Sequence, residues 1–220
     1  MSSRFFPMSI ASPSAPTVFI IDDDASVCRF LSRLVKQSGL EARTFPSAED
    51  FLQTRDGPVR HPACLVLDLQ MPGLGGLELQ RKLATDPAPC PVIFISGNGD
   101  IPTTVKAMKQ GAVTFLTKPF ASAELLHAIG EALERHSGLL ASVSQAGSIR
   151  DHIGHLTDRE REVMAWVITG ALNKQIAGEL GIVEQTVKVH RSRVMEKMGA
   201  VSVAGLVRLC DTAGFPAAVR

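Results

Sequence analysis

Short runs of apolar residues, many of them β-branched, recur along the first half of the chain, and each ends at polar or turn-forming residues. Continuous runs of this length are typical of strands that are buried on both faces of a parallel sheet. Between the runs, apolar residues recur at helical spacing, as at Val27, Phe30, Leu31 and Leu34. The pattern predicts five strands, over residues 17–21, 40–45, 64–68, 92–96 and 113–117.

A helix is predicted after each strand, so the two kinds of element alternate regularly. Helical spacing after the first strand ends at Gly39, and Ser47 begins a brief second helix. Three further helices are predicted over 76–85, 103–110 and from Ser122 to about His136. Such alternation indicates an α/β fold, a five-stranded doubly wound parallel sheet with helices on both faces.

From Leu156 onward the pattern predicts helices alone. Thr157 and Glu160 have the spacing of a capping box, and Asn173 is predicted to cap a short helix that ends at Leu180. A three-residue turn that begins with Gly181 precedes a longer helix over 184–198, and a last helix follows over 202–213. Two helices joined by a short glycine-containing turn match the helix-turn-helix signature, within a small all-α domain of four helices.

These elements divide the chain into two domains with flanking segments. A length of 220 residues suits two domains, and no internal repeat is visible. The segment between the predicted domains is rich in Ser, Gly and Ala and has little periodic pattern. The predicted organisation is a disordered tail over 1–16, an α/β domain over 17–137, a linker over 138–153 with room for helix in part, and a helical domain over 154–220.

Composition narrows the possible partners and the compartment. The formal net charge is only +1, so any affinity for nucleic acid must come from a local basic face. No apolar run approaches the roughly 18 residues that a membrane-spanning helix needs, so we expect no membrane partner. The four cysteines include no CxxC pair, which favours reduced thiols in the cytoplasm over a disulfide scaffold or a zinc site. Cys64 and Cys90 border neighbouring strands, and two inert buried thiols are favoured over a disulfide there.

Polar residues that could carry chemistry follow the predicted strands. Asp22 and Asp23 follow the first strand, Asp68 ends the third, and Ser96 and Lys118 follow the fourth and fifth. Because the carboxyl ends of parallel strands meet at one edge of a sheet, we expect these side chains to lie close together. Hard carboxylate oxygens suit Mg²⁺ or Mn²⁺, and a lysine adds a point charge for a phosphoryl group. Asp68 could then attack a phosphoryl donor and form an acyl phosphate.

Four segments in this order resemble the receiver domain of two-component response regulators, a flavodoxin-like fold. They are Ile20–Asp24, Leu67–Gly73, Ser96–Asp100 and Thr117–Phe120. The resemblance implies that Asp68 accepts a phosphoryl group from a phosphohistidine of a sensor histidine kinase. It also implies a cation site of Asp22, Asp23, Asp68 and the backbone carbonyl of Gln70, a switch pair of Ser96 and Phe115, and Lys118 beside the phosphoryl group. Asp24 has no metal role in that pattern and is predicted to be a turn or cap residue. Asn98 and Gly75 depart mildly from the receiver pattern.

The longer helix of the helix-turn-helix is predicted to have two different faces. At 100° per residue, Val187, Val194 and Met198 form an apolar face, which leaves the opposite face free for a major groove. The stem of Arg191 is predicted to pack, with its head reaching outward. Lys174 and Thr186 are better placed for phosphates. The remaining candidate DNA contacts are Gln185, Lys188, Val189, Ser192 and Arg193.

Residues 156–213 resemble a LuxR-type DNA-binding domain, on the segments 156–163, 173–177 and 186–190. Together the two resemblances indicate a response regulator of the FixJ/NarL type. They imply double-stranded promoter DNA and RNA polymerase as partners, and a homodimer that forms on phosphorylation. The implied dimer surface comprises the fourth helix, fifth strand and fifth helix, with Lys106 and Lys109. Val183 departs from the family, which usually has Ser or Thr at this helix cap.

Two other classes of function remain as alternatives. A metal-dependent phosphohydrolase would also use an aspartyl nucleophile with Mg²⁺, but it needs a second Asp two residues after Asp68, where Gln70 stands. A protein that acts by titrating partner proteins would need no DNA contact. This alternative predicts that charge reversal at Lys188 leaves function intact, whereas the DNA-binding interpretation predicts lost promoter binding.

Overall fold

The computed structural model of the protein describes residues 15–97 and 101–219. The predicted tail falls almost wholly in residues 1–14, and Asn98 in residues 98–100, so both lie outside the described residues. The first part of the chain alternates strands and helices as predicted. Its elements are β1 (Thr17–Ile21), α1 (Ala25–Gln37), β2 (Glu41–Phe45), α2 (Ala48–Thr54), β3 (Ala63–Asp68), α3 (Gly76–Leu83), β4 (Val92–Ser96), α4 (Ile101–Lys109), β5 (Thr114–Thr117) and α5 (Ser122–Gly154).

The five strands form one parallel sheet in the order β2-β1-β3-β4-β5. Their register aligns the carboxyl ends, since Ile21 pairs with Leu67 and Ser96 pairs with Thr117. Alternate side chains of the strands enter two separate apolar cores, one on each face of the sheet. The five-stranded doubly wound sheet that the sequence predicts is therefore confirmed.

The positions of Cys64 and Cys90 in the two cores argue against a disulfide between them. Cys64 belongs to one core and Cys90 to the other, so the two side chains lie on opposite faces of the sheet. All four cysteines are buried and free. The structure thus has inert thiols at these positions and no disulfide between them.

Helix α1 differs from its predicted packing at Phe30. The residues that α1 buries are Cys28, Leu31 and Val35, whereas Phe30 is 54% exposed. The apolar spacing identified the helix correctly, but the buried stripe is rotated by about one residue, so Phe30 is largely exposed to solvent.

Helix α5 is much longer than the predicted 122–136, because it continues without a break to Gly154. Its first turns bury Leu125 and Ile129 under the sheet, and its last turns bury Ile149 in the core of the helical unit. Most side chains between Ser137 and Gly147 are exposed, so this stretch has no buried stripe to give a periodic pattern. The segment predicted as a linker is helical throughout.

One buried histidine fastens α5 to the sheet. His136 is fully buried, and its Nδ1 accepts a hydrogen bond from the backbone N–H of Ala63 at 3.0 Å. The other ring nitrogen, Nε2, therefore carries the proton and donates to the carbonyl of Ala88 at 3.3 Å. Burial lowers the pKa of His136, so the neutral ring is the form that holds these two contacts.

The second part of the chain consists of helices around its own core. The helices are α6 (Asp158–Val167), α7 (Asn173–Leu180), α8 (Glu184–Lys197) and α9 (Val203–Ala213). The predicted caps Thr157 and Ser202 both accept hydrogen bonds from their own helices, and Thr157 and Glu160 complete the capping box. Asn173 is not the cap of α7: Leu172 holds the cap position and Asn173 is the first helical residue.

No helix within residues 15–97 and 101–219 combines the length and the apolar character that crossing a bilayer requires.

Candidate functional site

Two buried carboxylates share one lysine at the carboxyl edge of the sheet. Asp22 follows β1 and is 1% exposed, and Asp68 ends β3 and is 6% exposed. The Lys118 ammonium, which follows β5, donates to Asp22 Oδ2 at 2.6 Å and to Asp68 Oδ1 at 2.7 Å. Three strand ends that are far apart in sequence therefore meet in one cluster of ionised groups.

The electrostatics of this cluster keep the lysine charged. Burial raises the pKa of Asp22, an effect that the Lys118 ammonium and the backbone N–H of Asp24 only partly offset. Burial by itself lowers the pKa of Lys118, but its hydrogen bonds to the two carboxylates outweigh that effect, so its pKa is raised. Lys118 is thus a cation that is fixed between the two carboxylates.

The other oxygens of the two carboxylates accept backbone hydrogen bonds. Asp22 Oδ1 accepts from the N–H of Asp24 at 2.9 Å, and Asp68 Oδ2 accepts from the N–H of Gln70 at 2.8 Å. Asp24 in turn accepts from the N–H of Ser26 and caps α1, as predicted. Asp23 and Gln70 are exposed beside this cluster.

The donor set of this edge fits a magnesium ion. Asp22, Asp23 and Asp68 supply carboxyl oxygens at this edge, and the Lys118 ammonium contacts Asp22 and Asp68. Mg²⁺ takes one or two carboxylates and keeps water or phosphate oxygens in its other positions. Among the described residues, no three His, Cys, Asp or Glu side chains form a ready-made cage. The arrangement therefore suits an ion that is only partly enclosed by protein ligands.

Ser96 lies on β4, the strand next to that of Asp68, and Phe115 lies on β5, one strand further along the sheet. Ser96 ends β4 and is buried, and its carbonyl accepts a hydrogen bond from the backbone N–H of Lys118 at 2.8 Å. Phe115 on β5 is half-buried, with its ring centroid 6.5 Å from that of Phe94. The structure thus places Ser96 at the same edge as Asp68, and Phe115 on the strand that leads to Lys118.

Two residues around Asp68 were missed by sequence reasoning. A Cβ atom on Gly76 would come within 2.6 Å of the carbonyl oxygen of Asp68 and 3.0 Å of the Phe94 ring. Glu49 on α2 accepts a hydrogen bond from the backbone N–H of Leu74 at 2.7 Å. No local sequence signal marks either contact, because each joins segments that only the fold brings together.

The recognition helix α8 has the two faces that the sequence predicts. Val187, Val194 and Met198 are buried in the helical core. Thr186 is half-buried beside the first turn. The other predicted contacts are exposed, namely Lys174, Gln185, Lys188, Val189, Ser192 and Arg193.

Arg191, a predicted DNA contact, also forms a hydrogen bond within the helix-turn-helix. The residue is half-buried, and its Nη1 donates to the side-chain oxygen of Asn173 at 3.1 Å. This hydrogen bond joins the two helices of the helix-turn-helix. The side-chain oxygen of Asn173 therefore contacts α8 and not the first turn of α7.

Comparison with known proteins identifies both parts of the chain. A model of the response regulator receiver domain matches residues 18–130, and a model of bacterial regulatory proteins of the luxR family matches residues 154–210. The chain belongs to the response regulator family. It is a two-component transcriptional regulator with a receiver domain and a LuxR-type DNA-binding domain.

Individual relatives agree with this assignment over nearly the whole regulator. Nodulation protein W of Bradyrhizobium diazoefficiens is 46% identical over 200 residues, which cover 91% of this chain and 87% of that protein. Transcriptional regulatory protein FixJ of Rhizobium meliloti is 41% identical over 199 residues, which cover 90% of this chain and 97% of that protein. The solved structure of the response regulator StyR superposes with a TM-score of 0.77 at 44% identity, covering 90% of this chain and 99% of that one. These relatives favour a transcriptional regulator over the phosphohydrolase alternative.

The N-terminus of the recognition helix lacks a side-chain cap, and adding one is expected to stabilise the regulator. Val183 holds the cap position with extended backbone angles, is 69% exposed and makes no side-chain cap bond. Val183→Ser should add about 1 kcal/mol of stability, which corresponds to about 4–8 °C in the melting temperature of a unit of this size. The fluorescence of Trp166, the single tryptophan of the chain, follows this unit specifically.

Ser202 provides the matched control, because it already caps α9 through the N–H of Gly205 at 3.1 Å. Ser202→Ala should lower the same melting temperature by a similar amount. A Val183→Ser protein that melts at or below the wild-type temperature would contradict the predicted effect of the cap.

Glu160 makes the stability of the helical unit depend on acid pH. Its buried Oε2 accepts from Lys197 Nζ at 2.7 Å and from the Thr157 N–H at 2.9 Å. The hydrogen bond from Lys197 has the largest effect and that from the Thr157 N–H the next largest, and together they lower the pKa of Glu160 from 4.5 to about 2. Because the pKa is lower in the folded state, this stabilisation is fully present above pH 4.5 and is lost as the pH falls through about 2.

Glu160→Gln should therefore lower the melting temperature most at neutral pH, and the difference from wild type should shrink between pH 4.5 and 2. Trp166 fluorescence during thermal unfolding at several pH values provides the measurement. Glu196→Gln, on the exposed side of α8, is the control and should show no such trend. A difference between Glu160→Gln and wild type that stays constant across this range would refute the assignment.

Proposed function

We propose that a sensor histidine kinase phosphorylates this regulator on Asp68. The observation that carries the proposal is the Lys118 ammonium, which is fixed between the carboxylates of Asp22 and Asp68. A carboxylate oxygen of Asp68 attacks phosphorus, the bond from phosphorus to the histidine nitrogen breaks, and an aspartyl phosphate forms. Lys118 donates to the transferred phosphoryl oxygens and balances their charge.

The proposed cation ligands are Asp22, Asp23, Asp68 and the backbone carbonyl of Gln70. When bound, Mg²⁺ or Mn²⁺ neutralises negative charge on the phosphoryl oxygens as they approach the carboxylates. The backbone N–H of Gln70 holds the Asp68 carboxylate in a fixed orientation at 2.8 Å. Asp22 is held in the same way by the N–H of Asp24.

Phosphorylation is proposed to act on the surface formed by α4, β5 and α5. The new phosphoryl oxygens attract the Ser96 hydroxyl, and Phe115 turns inward beside Phe94. Helix α4 carries exposed apolar side chains at i, i+4 and i+7, which are Ile101, Val105 and Met108. This apolar stripe, flanked by Lys106 and Lys109, supports a homodimer that forms through α4 after phosphorylation.

The dimer is proposed to present two α8 helices to promoter DNA at half-sites about one helical turn apart. Lys188 and Arg193 donate to guanine or phosphate, Val189 contacts a thymine methyl group, and Gln185 and Ser192 complete the exposed face. Lys174 and Thr186 donate to phosphates, whereas Arg191 orients α8 against α7. RNA polymerase is the proposed further partner at the promoter.

Two further expectations belong to this proposal. The proposed domains are the receiver over 17–137 and the DNA-binding domain over 154–220, joined by a linker over 138–153 and preceded by a tail over 1–16.

The four free cysteines support a reducing compartment, so we place the regulator in the cytoplasm.

The proposal is tested by comparing DNA binding and oligomeric state before and after phosphorylation. Wild type and Asp68→Asn are incubated with a small phosphodonor and Mg²⁺, and then analysed by sedimentation and by binding to a DNA fragment selected from a random library. Wild type should become dimeric and bind the fragment more tightly, and Asp68→Asn should change in neither respect. Equal DNA affinity of both proteins under all conditions would contradict the proposal.

A further inference from the structure

The loop between β3 and α3 carries the groups next to the phosphorylation site. It runs from Leu69 to Gly75 and includes Gln70, whose N–H holds Asp68 and whose carbonyl is the proposed cation ligand. The base of the loop is tied to the sheet, because the Leu69 N–H donates to the carbonyl of Ile95 at 3.0 Å and the Gly76 N–H to the carbonyl of Leu69 at 3.3 Å. Gln70 lies between these two hydrogen-bonded ends, so its position also depends on contacts made by the rest of the loop.

The carboxylate of Glu49, on α2, contacts this loop near its α3 end. Glu49 Oε1 accepts the backbone N–H of Leu74 at 2.7 Å, across 25 positions of sequence. The neighbouring Gly73 has a φ of +76°, and a Cβ there would come within 2.5 Å of the same oxygen. Glycine at this position both adopts the left-handed backbone of the loop and leaves room for the carboxylate.

Helix α2 is a firm support for that carboxylate. Ser47 accepts the N–H of Asp50 at 3.0 Å and caps the helix, which fixes Glu49 in its first turn. Phe51 of the same helix is 2% exposed, with its ring centroid 5.4 Å from that of Phe19 and 5.3 Å from that of Phe45. A charge-assisted hydrogen bond from such an anchored helix is stronger than a neutral one.

We propose that Glu49 is a positioning residue for the cation site. It holds the end of the β3–α3 loop nearest α3 through Leu74, so that the Gln70 carbonyl and the Asp68 carboxylate face the same ion. The inference rests on the proposed function, since it assigns a support to the proposed ligand Gln70. Outer groups of this kind typically contribute 10–100-fold to metal affinity.

The test measures cation binding and loop protection without any phosphodonor. The variants are Glu49→Ala, Glu49→Asp, whose shorter side chain cannot reach Leu74, and Glu49→Gln, which keeps the acceptor oxygen. Titration calorimetry with Mg²⁺ gives the dissociation constant, and NMR hydrogen exchange gives the protection of the Leu74 amide. We expect Glu49→Ala and Glu49→Asp to weaken Mg²⁺ binding by about tenfold and to speed Leu74 exchange, with Glu49→Gln close to wild type.

Asp50→Ala is the matched control, one residue further along the first turn of α2, and it should leave both readouts unchanged. Wild-type Mg²⁺ affinity in Glu49→Asp, or an equal loss in Asp50→Ala, would overturn the inference. Glu49→Asp keeps the charge at the start of the helix, so the test stands even if Glu49→Ala does not fold. The proposed function fails separately, if the wild-type protein is not phosphorylated on Asp68.

Discussion

Replacing Gly76 by alanine should disable the receiver domain, because the new Cβ would come within 2.6 Å of the backbone carbonyl oxygen of Asp68. Real Cβ atoms do not approach backbone oxygens so closely, so either α3 or the end of β3 must move. Overpacking of this kind costs about 1–3 kcal/mol of unfolding free energy. A displacement of about 1 Å at a reacting group can lower a rate by about 100-fold. We therefore expect both a lower melting temperature and phosphorylation of Asp68 slowed by about 10–100-fold.

The neighbouring Gly75 provides the control, since a Cβ on it would meet nothing within 4 Å. Its φ of −67° is open to alanine, so Gly75→Ala should behave as wild type. Calorimetric melting and the rate of phosphorylation by a small phosphodonor provide the two measurements. If Gly76→Ala matched Gly75→Ala in both melting temperature and phosphorylation rate, the close packing of α3 against Asp68 would not be required for phosphorylation.

Reversing the charge of Lys188 should strongly weaken specific promoter binding. Lys188 lies on the exposed face of α8 and has a weak surface contact with Glu184 at 3.5 Å, so its ammonium is available to DNA. Loss of a direct contact costs about 1–3 kcal/mol, and the introduced carboxylate also repels phosphates. We expect Lys188→Glu to weaken binding by at least tenfold. The negative slope of log affinity against log salt should become shallower by about 1.

Lys82 on α3 offers a closely matched control. It forms the same i,i+4 contact, with Glu78 at 4.0 Å, and its side chain is 51% exposed compared with 55% for Lys188. Lys82→Glu makes the same change of net charge on the receiver domain and should leave DNA affinity unchanged. If the two variants bound DNA equally well, the alternative that the protein acts by titrating partner proteins would be favoured.

The contact among Asp22, Asp68 and Lys118 follows directly from the hydrophobic pattern. Each of these residues stands where an apolar run ends, and parallel strands in register bring such ends together. The sequence cannot show, however, that Lys118 contacts both carboxylates at nearly equal distance. That detail depends on side-chain conformations that the packed edge of the sheet selects.

Other features lie beyond sequence reasoning because they depend on tertiary contacts. Glu49 looks like an ordinary acidic residue in the first turn of a helix, and Gly76 looks like an ordinary helix start. Asn173 is a good cap by type, but its oxygen is taken by Arg191 on α8. In each case the partner lies outside the helix that carries the residue, and only the folded chain brings the two together.

The length of α5 shows a different limit of pattern analysis. Hydrophobic periodicity detects helices that bury one side, and the stretch after His136 is mostly exposed. The periodic pattern therefore gives no signal there, although Leu139, Leu140 and Ala141 are all good helix formers. Gly138, Gly147 and the serines between them have low helix propensity, so neither signal extends the predicted helix over this stretch.

Asp68 is the residue that we propose carries the phosphoryl group. Intact mass spectrometry after incubation with a small phosphodonor and Mg²⁺ tests this proposal most directly, on wild type, Asp68→Asn and Asp24→Asn. Asn retains the helix-capping ability of Asp24, so this variant keeps α1 intact. Wild type and Asp24→Asn should each gain one phosphoryl group and Asp68→Asn none, whereas a phosphorylated Asp68→Asn protein would contradict the account.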